Sequence, residues 1–274
     1  MGEDEPEAAG VIDVTRPPYN ADSTGRRDAT AALLQAMHEA GRRTPGIFTT
    51  TDRAVQIVYL PKGTYRISDT LCFENAEIRA ARPTKEAGRR RYIEGHMMLV
   101  GENREATIIR LEDRCPQFQA GPKPMLRMTL KDASNQSYFN SVQDLTLDAG
   151  HANPGAVGLR FVSSNLGGIR NTLIRCPDRV QPASVGLDLT TGAGGLGYIR
   201  DVRVEGFRKG VQVGSFHPAY TFENLELLGQ HEVGFENADK SVQILNLRST
   251  NSVPAIRNRT PAGQMVLLNS WLRN

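Results

Sequence analysis

Six segments in the second half of the chain repeat one short pattern, in which a polar or small residue leads into an alternating strand. They are Val142-Gln-Asp-Leu-Thr-Leu-Asp148, Ile169-Arg-Asn-Thr-Leu-Ile-Arg175, Ile199-Arg-Asp-Val-Arg-Val-Glu205, Phe222-Glu-Asn-Leu-Glu-Leu-Leu228, Val242-Gln-Ile-Leu-Asn-Leu-Arg248 and Met265-Val-Leu-Leu-Asn-Ser-Trp271. Their starts are separated by 27, 30, 23, 20 and 23 residues. A second series lies between them: Gly158-Leu-Arg-Phe161, Gly186-Leu-Asp-Leu189, Gly210-Val-Gln-Val213, Gly234-Phe-Glu-Asn237 and Ala255-Ile-Arg-Asn258. Two interleaved series with one period mean that each coil carries at least two short strands. A coil of this size cannot bury its apolar face alone and must stack on its neighbours. Propeller blades need roughly 40 residues and four longer strands, and no Leu-x-x-Leu-x-Leu frame is present. The pattern therefore predicts an all-β parallel β-helix. Glycine at the head of the second series suits a sharp corner with positive φ.

The first half reads as a cap leading into the coils. Asp28 is placed to cap a helix from Ala29 to about Ala40, with Leu33, Leu34 and Met37 at helical spacing and Gly41 as its stop. Strands are expected at Val55–Leu60, Thr64–Ile67, Met97–Val100 and Thr107–Leu111. The organisation expected is a lead-in over 1–18 and one β-helix domain over 19–274. That domain divides into cap and first coils (19–115) and regular coils (140–272).

Charge excludes some functions. Lys plus Arg number 33 against 30 Asp plus Glu, a net +3 with no basic helix or zinc spacing, so no nucleic-acid partner is expected. No apolar run reaches the roughly 18 residues of a membrane span. Cys72, Cys115 and Cys176 show no metal spacing and read as isolated thiols. The start, Met1-Gly-Glu-Asp-Glu-Pro6, is acidic and carries no signal-peptide pattern.

Tyr19-Asn-Ala-Asp-Ser-Thr-Gly-Arg-Arg-Asp-Ala-Thr-Ala-Ala-Leu-Leu-Gln-Ala36 resembles the opening motif of pectate-lyase-superfamily and rhamnogalacturonase/epimerase-like proteins. Gly25, Asp28, Thr30, Ala32, Leu33 and Ala36 fit it, while Asn20, Ser23 and Thr24 replace its loop glycines and aspartate. Val58-Tyr-Leu-Pro-Lys-Gly-Thr-Tyr-Arg-Ile67 is similar to the strand and turn that follow in that family. The resemblance implies a right-handed parallel β-helix with an N-terminal capping helix. It also implies a carbohydrate-active protein, a polysaccharide hydrolase or lyase acting on an acidic or neutral polysaccharide. The alternative is a non-catalytic polysaccharide-binding or structural module, tailspike-like or the first half of a larger glycoside hydrolase. The expected location is extracellular or periplasmic, with the leader absent from this chain. The matched motif belongs to the cap, so it transfers fold and not reaction. Gly-His-Gly, Asn-Thr-Asp, paired Asp-Asp and Arg-x-Pro-x-x-Arg signatures are missing, and Gly95-His96-Met97 does not replace them.

With Leu145 and Leu147 inward, alternation predicts two outward rows. One is Thr146, Leu173, Arg203, Glu226, Asn246, Asn269; the other is Asp148, Arg175, Glu205, Leu228, Arg248, Trp271. Glu205 and Glu226 lie one coil and one two-residue step apart, about 8 Å between Cα atoms. A separation of roughly 6.5–9.5 Å between carboxylates suits an acid and a water-activating base. Arg175, Arg203 and Arg248 suit an acidic sugar, and Trp271 a stacking platform. Asp148 with His151 forms a second candidate catalytic group. The structural alternative is that these charges pair across the sheet, for about 0–1 kcal/mol each. His217 and the basic run Arg82–Arg91 read as surface features, and Asn237 with Asn258 as an amide ladder. Neither metal nor cofactor is expected. Because the last coil ends at its strand, further chain or a second copy in a homo-oligomer is expected to cover it.

Overall fold

A computed structural model describes residues 10–43, 57–74, 97–129, 139–163, 167–191, 197–214 and 219–273. The basic run Arg82–Arg91, His96, His217 and the first two residues of the Val55–Leu60 strand lie outside the described residues. The opening elements are β1 (Val11–Asp13), β2 (Thr24–Asp28), α1 (Thr30–Arg43), β3 (Ile57–Leu60), β4 (Gly63–Ile67), β5 (Leu71–Cys72), β6 (Met98–Gly101), β7 (Thr107–Leu111) and β8 (Lys123–Met128). The regular coils hold β9 (Ser141–Asp148), β10 (Ala156–Phe161), β11 (Gly168–Arg175), β12 (Val185–Leu189), β13 (Gly197–Glu205) and β14 (Lys209–Val213). They continue with β15 (Ala219–Leu228), β16 (Val233–Asn237), β17 (Ser241–Thr250), β18 (Ile256–Asn258), β19 (Met265–Leu268) and β20 (Trp271–Arg273).

Every strand pairs in parallel with the coil before or after it. The order is β1-β3-β6-β9-β11-β13-β15-β17-β19 in one sheet and β5-β8-β10-β12-β14-β16-β18 in the other. The lead-in already contributes to the stack, since Val11 pairs opposite Ile57.

The long strands of the first sheet bend in the middle. At each bend stands an Asp or Asn in the left-handed region: Asp144, Asn171, Asp201, Asn224 and Asn246 (φ 57, 43, 54, 55 and 58), then Asn269 (φ 50) between β19 and β20. Asn and Asp tolerate this conformation at little cost because their short polar side chains bond locally. A left-handed residue breaks the two-residue alternation, so Val142 and Leu145, three apart, both point into the core. In the earlier coils the same corner is a longer turn: β9 pairs with β6 through its first half and with β7 through its second.

This corner corrects the register expected for the last two coils. Phe222 pairs with Ile244, not Val242, and Ile244 with Leu267, not Met265. Counted along Val142, Ile169, Ile199, Phe222, Ile244 and Leu267, the coils advance by 27, 30, 23, 22 and 23 residues. Leu145 is buried as expected, and Val202 and Leu225 are buried with it. Leu245 is outward and half-buried opposite Glu223, and Leu247 takes the inner place. Leu268, in the outward row of Leu245, is 57% exposed.

The glycines heading the second series have a different cause from the one expected. Gly158, Gly186, Gly210 and Gly234 do not have positive φ. They stand where a Cβ would strike the core: at Gly158 it would lie 2.4 Å from Ile174 Cγ2, and at Gly186 2.2 Å from Val204 Cγ1. Close approach, not a corner, requires them.

Helix α1 packs Leu33, Ala36, Met37 and Ala40 into the core against β5, the terminal strand of its sheet, and β3. Asp28 caps it, accepting the Thr30 N–H at 2.8 Å. The helix runs through Gly41 to Arg43, and Leu34 is only partly buried. At the other end Val266, Leu267, Leu268, Trp271 and Leu272 are exposed, and no described residue covers them. Trp271 and Leu272 pair with β17.

Candidate functional site

The corrected register assembles one row on the outer face beside the bends: Thr146, Leu173, Arg203, Glu226, Arg248, Trp271. The neighbouring row is Asp148, Arg175, Glu205, Leu228, Thr250, Arg273. Arg248 and Trp271 therefore move out of the row assigned from alternation and into that of Glu226, Arg248 directly beside it and Trp271 one coil farther on. Successive members sit one coil apart, ~4.8 Å.

A cavity of about 300 Å³ lies over this corner, lined by Arg104, Asp201, Arg203, Asn224, Glu226 and Arg248 among others. A second, about 530 Å³, shares Asn224 and Arg248 and extends to Asn269 and Trp271. Arg104 projects from the turn between β6 and β7, whose position is set by the Thr146 hydroxyl donating to the Arg104 carbonyl at 2.6 Å. A side-chain ladder runs along the bends, and its Asp201, Asn224 and Asn246 rungs form the floor. Asn171 Nδ2 donates to Asp144 Oδ1 at 2.7 Å, Asn224 to Asp201 at 2.7 Å and Asn246 to Asn224 at 2.8 Å. No described residue forms an ion pair with Arg248, and Trp271 is half-exposed.

The remaining sequence candidates fare differently. Arg203 Nε hydrogen-bonds Glu205, and its Nη1 lies 3.7 Å from Glu226 Oε2. The two glutamates thus share one arginine but line separate cavities, Glu205 facing one of about 520 Å³ with Arg179, Gln230, His231 and Ser252. Asp148 is not a solvent-facing group: it is 3% exposed, receives Arg175 Nε at 2.7 Å and accepts the Gly150 N–H at 2.9 Å. That pair ties two coils together, and Arg175 lines none of the three cavities. His151 is exposed on its loop, and its backbone N–H donates to Asp113 at 2.9 Å. Burial would raise the Asp113 carboxyl, but that N–H and Arg110 outweigh it and hold it below the ordinary range. No hydrogen bond among the described residues joins the Asp148 and His151 side chains, so they do not form a dyad. Asn237 and Asn258 do form the expected ladder, at 3.1 Å.

Sequence reading missed Arg104, Asp201 and Asn224, and it placed Asn246 and Asn269 in the outward row instead of at the bends. The four Asx residues had a signal, the single Asp or Asn at each corner, which aligns all coils when taken as the anchor. Arg104 had none, because it reaches Thr146 across 42 residues. Among the described residues no group of His, Cys, Asp or Glu is arranged for a metal, and no helix is long and apolar enough to cross a membrane.

These features define a parallel β-helix with a polar groove along one corner. The sequence matches the family described as rhamnogalacturonase A/epimerase, pectate lyase-like, over residues 14–257, and the chain belongs to it. No curated protein matches. Among solved structures it is similar to the A-module of mannuronan C-5 epimerase AlgE6 from Azotobacter vinelandii. The TM-score is 0.60 at 19% identity, covering 89% of this chain and 58% of that one. It is also similar to the catalytic unit of an α-1,3-glucanase from Streptomyces thermodiastaticus, at TM-score 0.54 and 15% identity, over 96% of this chain and 47% of that one. ORF18 of Geobacillus virus E2 gives TM-score 0.54 at 14% identity, over 89% and 50%. The chain thus spans about half the length of these structures, and at such identities they share with it the right-handed β-helix fold.

Proposed function

We propose that this chain binds an acidic polysaccharide along the corner groove and cleaves it there, acting outside the cytoplasm. The observation that carries this reading is the row itself, with Glu226 between Arg203 and Arg248 and Trp271 next along it. Guanidinium groups match carboxylates in a planar fork. In the groove, Arg104, Arg203 and Arg248 would hold the uronate carboxylates, Trp271 would stack on a sugar ring, and Glu226 would transfer the proton. Family membership and the mannuronan named for one of the similar structures support an acidic polysaccharide.

A non-catalytic binding module is the second reading, favoured by the sharing of Arg203 between Glu205 and Glu226. Calorimetry and reducing-end release on polygalacturonate, polymannuronate and an α-1,3-glucan separate the two. Arg248→Ala should weaken polyanion binding about tenfold, one charge-assisted hydrogen bond at ~1.5 kcal/mol, with the effect shrinking in salt. Glu226→Gln should bind and fail to cleave. Binding by the parent protein without cleavage selects the module, and no binding of any polyanion refutes the groove.

A further inference from the structure

Among the described residues, the carboxylate that shares the Glu226 cavity is Asp201, not Glu205. Pairing of Arg200 with Glu223 and of Val202 with Leu225 sets Asp201 opposite Asn224. Glu226 lies two residues farther along that neighbouring coil. From ~4.8 Å between coils and ~6.6 Å along the strand, the two Cα atoms are about 8 Å apart.

The two carboxylates are held differently. Asp201 Oδ1 accepts Asn224 Nδ2 at 2.7 Å, and Oδ2 meets Arg200 Nε at 3.1 Å. Each oxygen takes one N–H donor and keeps a second lone pair, so the ionised group can still accept from a water. Glu226 is approached at Oε2 by Arg203, at 3.7 Å, and no described residue bonds Oε1. That oxygen can carry a proton toward a ligand.

We infer that Asp201 is the second catalytic carboxylate of the groove, which rests on the cleavage reading above. Asp201 takes a proton from water as the water oxygen bonds to the anomeric carbon. The glycosidic C–O bond breaks, and Glu226 gives its proton to the departing oxygen. Asp201 ends protonated and Glu226 ionised, and exchange with solvent restores both. Carboxyl groups roughly 6.5–9.5 Å apart leave room for the water on the far face of the sugar and invert the anomeric configuration. Side chains rising into one cavity from Cα atoms about 8 Å apart can take that separation.

The test uses the full chain on polygalacturonate, polymannuronate and an α-1,3-glucan, with reducing-end kinetics, binding by calorimetry and proton NMR of the first product. Asp201→Asn keeps the Oδ1 acceptor and tolerates the left-handed backbone. Asp144→Asn makes the same change in the ladder outside both groove cavities. Asp201→Asn and Glu226→Gln should each lower kcat about 100-fold or more, with binding within about threefold of the parent. Asp144→Asn should keep full turnover, and the product should be inverted. Full turnover in Asp201→Asn with a dead Glu226→Gln would overturn the inference and leave the groove reading standing. Turnover unaffected in both, or no polymer cleaved, would overturn the two together. A retained anomeric configuration, an unsaturated product, or equal losses of binding and turnover in Asp201→Asn would each reject Asp201 as the base.

Discussion

Gly186→Ala sets two effects against each other, and the structure says which should win. In a strand, alanine is ordinarily favoured over glycine by roughly 0.5–1 kcal/mol, because glycine loses more backbone freedom on folding. At this site the added Cβ would lie 2.2 Å from Val204 Cγ1, 2.8 Å from the Gly210 carbonyl oxygen and 3.2 Å from Phe207 Cδ2. Val204 and Phe207 are fully buried, and the Gly210 carbonyl belongs to the next coil, so none can step aside freely. A 2.2 Å approach to a buried side chain puts the overpacking cost at the upper end of its range, about 3 kcal/mol, leaving a net loss of ~2–2.5 kcal/mol. Gly229→Ala is the companion experiment: nothing lies within 4 Å of its Cβ, but its φ is +62, so any loss there, about 1–2 kcal/mol, is conformational. Urea unfolding followed by circular dichroism, with hydrogen exchange at Leu187 and Val211, reads both the global and the local cost. An unchanged or higher urea midpoint for Gly186→Ala would refute the packing account of the glycine row.

Two further outcomes are expected. Burial alone would raise the Glu236 carboxyl, but Lys209, Arg257 and Arg259 outweigh it and hold it below its ordinary 4.5. Its stabilisation is therefore complete above that value and lost as pH falls through the depressed folded one. Glu236→Gln should flatten the acid-side fall in Tm, and parallel curves for parent and variant would refute this. Leu33→Ala should cost about 2–5 kcal/mol at a site 1% exposed, and Leu34→Ala clearly less, so equal denaturant midpoints would reject that placement of helix α1.

What the sequence by itself determined was the stack: a period that only coils can satisfy, inner residues such as Leu145, Val202 and Leu225, and the cap at Asp28. Those depend on chain-local patterns, which survive without knowledge of neighbours. The register of the last two coils did not follow, because Val242, Ile244, Leu245 and Leu247 allow two apolar frames. The choice between them is made by the left-handed bend at Asn246 and by pairing with the coil beneath. Burial of Asp148 was equally hidden, since its partner Arg175 comes from the next coil. The groove is the extreme case: Glu205 and Glu226 are equivalent in spacing, yet they line different cavities, and Asp201 joins Glu226 only because adjacent coils are hydrogen-bonded in one particular register. Which side chains share a cavity is a property of contacts between coils, and those exist only in the folded chain.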